Sequence, residues 1–391
     1  MRTTKENNLL TIFLEGRVDT SNAGAIDAEV TQIAAENNGC KFTIDASNLT
    51  YISSAGLRVL MKLRKRAGNL QLVNVNSDVY EILDTTGFTQ ILDVKRALKE
   101  ISIEGCPVIG QGATGTVYKI DDERIAKLFR EGTQLNMILG EKALAQNAFL
   151  AGVPTAISFE NIKSGNRYGL IYELLNAKDL ASLMKADKAH LDEYVKKHAV
   201  FLRQCNAIEV DTDKFSSPKK RLLPALKALV NFGFTQEETD KICAIIENIP
   251  DKNTFIHGDA HIGNVMVQDG ELIFIDMMTS GSSHPIFDLS SMYMLMNMVA
   301  KDPASKEKNE LISEFSLEEC RHIWEVFLSA YFDTDDVQYL KKVEEQLLIF
   351  TSARMQATIV AFPGMIPKEA LNMMKHICLN AYDRGLEPIC F

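Results

Sequence analysis

The sequence predicts two unlike units in one chain: a small α/β unit over residues 1–100, then a two-lobed α+β unit over residues 101–391. Three observations carry this. Strand-like and helix-like runs alternate through the first hundred residues, the pattern of a β/α sheet unit. A glycine-rich stretch from Gly110 to Gly115 is followed by two β-rich runs rather than by a helix. Residues 255–276 then set Asp259, Asn264 and Asp276 around a strand–turn–strand pattern, and the remainder reads mainly helical.

Composition narrows the class. A chain of 391 residues is comfortable for two or three domains. Its 46% hydrophobic and 24% charged residues are those of an ordinary soluble globular protein. No apolar run approaches the roughly 18 residues that span a bilayer, and the methionine-rich run 292–299 reads as a core helix. The first ten residues lack the apolar segment of a signal peptide. Seven scattered cysteines without a C-x-x-C pair fit free thiols in a reducing cytoplasm. A net charge of −10 argues against nucleic acid as a partner. The first hundred residues are about neutral, so the excess acid lies in the remainder. That surface would suit a cationic small molecule, although solubility is the ordinary reason for such a balance.

Residues 9–14 are β-like, and 23–35 have helical apolar spacing after Ser21 or Asn22 as cap. A strand follows over 40–46, then a helix over 55–66 with Leu57, Leu60, Met61 and Leu63 on one face. A strand over 70–75, a short helix over 79–83 and a last strand over 91–94 complete the unit. Its informative part is D-A-S-N-L-T-Y-I-S-S-A-G-L, Asp45 to Leu57. The strand is expected to end at Asp45, a loop to follow, and the Ser-Ser-Ala-Gly step to open the helix. A phosphate on a serine there meets free amides and the positive end of the helix dipole. A simple N-cap is the plain alternative.

These residues resemble the signature of the STAS domain, the fold of bacterial anti-sigma factor antagonists, and the resemblance spans residues 5–98. It implies a protein partner such as an anti-sigma factor. It also implies that the serine two positions before the glycine, here Ser54, is phosphorylated by a partner kinase. Ser53 stands where the family often has aspartate.

In the second unit, Gly110, Gly112, Gly115 and Val117 form G-x-G-x-x-G-x-V. Dinucleotide-binding folds need a helix directly after such glycines, but here β-branched residues follow, then an Asp121-Asp122-Glu123 turn and a strand over 124–129. That is a hairpin closing over phosphates, with Lys127 on its second strand. A helix over 139–150 offers Glu141 to orient the Lys127 ammonium, and Glu131 is the alternative. A hairpin turning at Ser164-Gly165-Asn166 returns over 168–174, and residues 178–250 read as mostly helical, with His190 and His198 as ordinary surface or packing histidines. The strand–turn–strand over 265–275, turning at Gln268-Asp269-Gly270, brings Asn264 and Asp276 to one site. Phosphoryl transfer needs a carboxylate for the acceptor's proton, plus an amide oxygen and a carboxylate to hold Mg²⁺ on the phosphates.

His257-Gly258-Asp259-Ala260-His261-Ile262-Gly263-Asn264 reads H-G-D-x-H-x-x-N and closely resembles the aminoglycoside-phosphotransferase and choline-kinase-like branch of the protein-kinase-like fold. Protein kinases have arginine where Gly258 stands. Over residues 105–385 the glycine loop, the lysine, this motif and the last aspartate fall in family order. The resemblance implies ATP and Mg²⁺ as cofactors, Asp259 as catalytic base, and Asn264 and Asp276 as metal ligands. It further implies Lys127 on the phosphates and Glu173 and Leu175 as the backbone groups that bond adenine. His284 replaces the first aspartate of the family's D-P-x-x-D-L segment, and Asp288 is expected to brace the catalytic loop.

Only a dozen residues separate Asp276 from Asp288, too few for an activation loop, so a small-molecule hydroxyl is the expected acceptor. Helices over 317–331, 337–354 and 368–383 would build its pocket. Glu318, Glu319, Asp333, Asp335, Asp336, Glu344 and Glu345 could recognise an amine on it, against the plainer reading of a solvated surface, and Trp324 reads as packing. The rival function is regulatory: a STAS partner-binding protein whose kinase unit senses nucleotide, or phosphorylates Ser54 or the partner.

Overall fold

The computed structural model describes residues 1–112 and 114–391, so Ala113 of the glycine loop lies outside the described residues. The chain divides into two compact units, Met1–Ser102 and Ile103–Phe391.

In the first unit, strands β1 (Thr3–Glu6), β2 (Leu9–Val18), β3 (Lys41–Ile52), β4 (Leu70–Val75) and β5 (Asp93–Arg96) lie side by side in that order. The β1–β2 pair is antiparallel and the other pairs are parallel. Ile12, Ile44 and Leu72 on neighbouring strands are fully buried, and helices α1 (Ala23–Glu36), α2 (Ser54–Ala67) and α3 (Ser77–Thr85) contribute Val30, Leu60, Leu63, Val79 and Leu83 to the same core.

One expectation needs correcting. The strand does not end at Asp45 but runs on to Ile52. Strand β2 also continues past Leu14 and supplies the partners Gly16↔Leu49, Arg17↔Tyr51 and Val18↔Ile52, after a register shift between Phe13 and Glu15. The residues read as a loop are therefore a paired, irregular continuation of the strand. Ser53 then caps α2 by accepting from the Ala55 amide at 3.2 Å, which leaves Ser54 as the first helical residue, exposed to solvent.

Gly56 in that turn is required by packing. A Cβ there would lie 2.6 Å from Ile52 Cγ1 and 2.8 Å from Val18 Cγ1, so α2 seats its first turn directly on the sheet. Gly56→Ala is expected to cost about 1–3 kcal/mol by overpacking. Urea unfolding of the full chain checks this, and an unchanged midpoint for the first unit would rule it out.

In the second unit, five antiparallel strands form a sheet in the order β9 (Ser158–Ser164), β10 (Arg167–Glu173), β8 (Arg124–Phe129), β7 (Gly115–Lys119) and β6 (Val108–Gln111). Helix α4 (Leu135–Leu150) packs on it and begins four residues before the expected start. The rest is mainly helical with a few short strands, and Trp324, Phe255, Phe274, Phe327 and Phe350 are among its fully buried side chains. Helices Gln236–Glu247 and Leu317–Phe332 both open with capping boxes, Thr235 with Glu238 and Ser316 with Glu319. The methionine-rich run is a helix, Ile286–Tyr293, that passes into a π-helical turn, Met294–Val299, with Met292, Leu295 and Met296 buried.

Candidate active site

The site forms where a short loop, a two-stranded hairpin and the glycine-rich sheet meet. Strands β11 (Val265–Gln268) and β12 (Glu271–Phe274) pair with Gln268 opposite Glu271, so Asp269 and Gly270 alone make the turn. Both have positive φ, 50° and 84°, as a two-residue primed turn demands. The hairpin brings its two ends together: the Ile275 amide donates to the Asn264 carbonyl at 3.0 Å. Asp276 itself sits at φ 61°, ψ 65°, a left-handed conformation that aspartate tolerates better than most residues but that still costs energy.

Lys127 reaches this point from β8. Its Nζ lies 2.7 Å from Glu141 Oε1 and 3.3 Å from Asp276 Oδ1. Glu141 is 2% exposed and also accepts from the Tyr172 hydroxyl at 3.3 Å. Burial opposes the Lys127 charge, but the Glu141 and Asp276 carboxylates outweigh it and hold the ammonium above its ordinary pKa. Lys127 is therefore a fixed cation at neutral pH. Glu131, the alternative partner, is exposed and bonds Asn166 instead.

In the glycine loop, Gly110 pairs with Val117 across the β6–β7 hairpin, and the Gly112 amide donates to the Gly115 carbonyl at 2.9 Å. Glu173 ends β10 opposite Arg124, and the next amide, Leu174, donates to the Glu123 carbonyl at 2.7 Å; Leu175 follows, half-buried.

Asp259 and Asn264 share the loop. Asn264 Nδ2 donates to the Asp259 carbonyl at 2.8 Å and lies 3.3 Å from its Oδ2. That fixes the amide so that its oxygen points away from Asp259. His261 Nδ1 accepts from the Gly263 amide at 3.1 Å, which puts the ring proton on Nε2, 3.6 Å from Asp259 Oδ2. Burial outweighs the Asp259 charge and lowers the His261 pKa, so this histidine is neutral.

The loop is held from behind by groups that no sequence motif announced, apart from Asp288. Asp288, fully buried, accepts from the His257 amide at 3.0 Å, the Gly258 amide at 2.6 Å and Asn206 Nδ2 at 2.8 Å. It braces the loop that carries Asp259, as expected. Asn206 is fixed in turn by the Tyr331 hydroxyl at 2.9 Å. Gly258 has φ 81°, and a Cβ there would fall 2.4 Å from the Thr279 carbonyl, which explains the glycine in H-G-D. Arg354 Nη2 donates to the Gly258 carbonyl at 2.5 Å. Asn206, Tyr331 and Arg354 lie on amphipathic helices with ordinary spacing, so nothing in their sequence neighbourhood marks them.

The acidic residues considered for an amine are mostly engaged elsewhere. Glu319 closes a capping box and pairs with Lys188, Asp336 caps a helix, Asp335 accepts from Ser329, Asp333 faces Arg203 and Glu344 accepts from Trp324. Trp324 is buried against Tyr293 and Phe327, as packing. His190 is exposed against Asp187, while His198 is buried, packed on Phe327, and driven by burial and by His261 and His257 down to about 3.

The sequence matches the family described as "Phosphotransferase enzyme family" over residues 105–310, more than half of the chain. The chain belongs to this family. Residues 1–101 match the STAS domain. This STAS domain is 33% identical over 94 residues to the Bordetella bronchiseptica protein named "Putative anti-sigma factor antagonist BtrV", covering 23% of this chain and 80% of that protein. It is 24% identical over 102 residues to the anti-sigma-B factor antagonist of Listeria monocytogenes, covering 25% of this chain and 89% of the relative. Among solved structures, the ADP-bound aminoglycoside phosphotransferase APH(2'')-Ib is similar at 14% identity and a TM-score of 0.47, over 81% of this chain and 99% of that one. The choline kinase LicA of Streptococcus pneumoniae is similar at 14% identity and a TM-score of 0.43, over 78% and 99%. The protein thus joins a STAS domain to a domain of the phosphotransferase enzyme family. No helix among the described residues is long and apolar enough to cross a membrane.

Proposed function

We propose that the protein is an ATP- and Mg²⁺-dependent kinase that phosphorylates a hydroxyl of a small molecule, with residues 101–391 as the transferase and residues 1–100 as its regulatory STAS domain. The observation that carries this is the Lys127 ammonium held between Glu141 and Asp276, beside a loop that presents Asp259 and Asn264 together.

The donor set fits a hard cation. Asn264 offers an amide oxygen because its nitrogen is committed to Asp259, and Asp276 offers a carboxylate. Bound Mg²⁺ would neutralise charge on the phosphates. The protein's own groups do the rest. Amides of the Gly110, Gly112 and Gly115 loop, with Val117 beneath it, close over the phosphates. Lys127 steers them, and its orientation depends on Glu141. Backbone groups of Glu173 and Leu175 receive the adenine. Asp259 accepts the proton of the acceptor hydroxyl as its oxygen bonds the transferred phosphorus and the bond to the nucleotide's leaving oxygen breaks. The seven cysteines are free thiols, which supports a cytoplasmic location.

A second reading is favoured by one observation: Ser54 is exposed at the first turn of α2, and its hydroxyl has no hydrogen-bond partner among the described residues. On this reading the STAS domain binds an anti-sigma factor or a similar protein, and phosphate on Ser54 sets that binding. One experiment separates the two. The full chain is incubated with γ-labelled ATP and Mg²⁺, alone and with hydroxylated small molecules, and soluble label is separated from protein-bound label. Soluble label on a small molecule is the expected result. Label confined to Ser54 would favour the regulatory reading, and an absence of both with nucleotide still bound would defeat the kinase assignment.

A further inference from the structure

Two guanidinium groups stand beside the Asp259 loop: Arg354 lies close enough to Asp259 and Asp288 for both charges to act on it, whereas Arg221 has no carboxylate against it. Arg354 donates through Nη1 to the Phe287 carbonyl at 2.7 Å and to the Ser290 and Ser291 hydroxyls at 2.6 and 3.3 Å, and through Nη2 to the Gly258 carbonyl. Arg221 lies on the helix Lys219–Lys227 and touches only carbonyls, Met278 at 3.5 Å and Thr279 at 3.1 Å. Among the described residues, Arg221 has no ion-pair partner.

Their position is tied to the chemistry. Thr279 follows Asp276 by three residues, packs against Gly258, and donates through its hydroxyl to the His257 carbonyl at 3.0 Å. The Lys219–Lys227 helix is held against the same segment: a Cβ on Gly281 would meet the Ser216 carbonyl at 2.5 Å, and the Ser282 hydroxyl donates to the Phe215 carbonyl at 2.6 Å. Lys219 of the Lys-Lys-Arg run is paired with Asp251, which leaves Arg221 facing the segment after Asp276. Desolvation and the nearby Arg354 charge both lower the Arg221 pKa, so the two cations repel each other. The Asp259 and Asp288 carboxylates offset the Arg354 charge, so Arg221 is the cation of the two left without an anion.

We infer that the phosphoryl acceptor is a hydroxylated small molecule carrying a phosphate or carboxylate group, and that Arg221 binds this anion. A guanidinium suits either anion through paired N–H donors. Arg354 is already committed to four acceptors, whereas Arg221 reaches solvent and has donors to spare. The carboxylates that an amine would need are mostly spent on capping and surface pairs. This deepens the kinase reading and rests on it for the statement that the bound anion is an acceptor.

The test is calorimetric binding to the full chain of four matched probes: glycerol, glycerol phosphate, glycerate and choline. Glycerol phosphate or glycerate is expected to bind about tenfold or more tighter than glycerol and choline. Arg221→Ala should lose about tenfold or more of that affinity and Arg221→Lys recover part of it, with thermal unfolding of both variants unchanged. Choline or glycerol binding as tightly as the anions, anion affinity that survives Arg221→Ala, or no binding by any probe would overturn the inference. Label transfer from ATP, measured in parallel, keeps the two ideas apart. Anion binding with this pattern but no transfer would defeat the kinase reading and leave the anion site standing. Transfer to choline in preference to the anionic probes would do the reverse.

Discussion

Asp259→Asn is expected to abolish phosphoryl transfer while leaving nucleotide binding in place. The substitution keeps the side chain's size, and its remaining oxygen can still accept from Asn264 Nδ2, which lies 3.3 Å from the native carboxylate. What it removes is the basic lone pair that takes the acceptor's proton. General-base catalysis contributes about 10² to 10⁴ in rate, so turnover should fall by that factor. Nucleotide affinity should change by no more than about twofold, because Lys127, Glu141 and the glycine loop are untouched. ATP hydrolysis with water as acceptor reads out the rate without knowledge of the substrate, and titration with ADP reads out the affinity. A variant with near-native turnover would remove Asp259 from the chemistry. A variant that loses ADP binding as well would show instead that the carboxylate supports the metal site. Asn264 stands between the two outcomes, since its nitrogen bonds the Asp259 carbonyl and its oxygen is the one proposed for Mg²⁺.

The sequence made the candidate side chains of the site visible because their spacing is set by backbone geometry. The Asp-Gly pair between two β-branched runs specifies a two-residue turn, and that turn fixes how Asn264 approaches Asp276. Lys127 was legible from the strand that follows the glycine loop. Its pairing with Glu141, read with Glu131 as the alternative, holds in the structure, where the packing of α4 on the sheet decides it. The strand over Lys41–Ile52 was misread for a related reason: polar Asp45, Ser47 and Asn48 look like loop residues, and what keeps them in the sheet is a neighbour thirty residues away in sequence. Strand β1 was missed altogether, since Thr3–Glu6 is polar and exposed throughout and owes its form to pairing with β2. Arg354, Asn206 and Arg221 were hidden because each acts through a carbonyl or carboxylate far away in the chain, and carbonyls leave no trace in residue identity.

Asp288→Ala should produce the largest loss of stability of any single substitution near the site. Its carboxylate is fully buried and accepts from the His257 and Gly258 amides and from Asn206 Nδ2. Alanine would leave those three donors in a dry cavity, each costing about 1–3 kcal/mol when unpaired. Relief from burying a charge offsets part of this, so a net loss of about 3–5 kcal/mol is expected. That is a large share of the roughly 5–15 kcal/mol that holds a typical domain. Urea unfolding followed by tryptophan fluorescence reports it cleanly, because the single tryptophan, Trp324, belongs to the phosphotransferase domain and is buried there. Asp288→Asn keeps two acceptor lone pairs but turns an N–H₂ toward a donor, so it should fall between wild type and alanine. The asparagine variant also separates scaffold from chemistry. If Asp288 acts only by shaping the loop, the folded asparagine protein will bind ADP normally and turn over more slowly, because a shift in the Gly258 amide displaces Asp259, the next residue. Alanine with an unchanged unfolding midpoint would mean that the loop holds its form without this brace, leaving Arg354 on the Gly258 carbonyl as the contact that sets the position of the base.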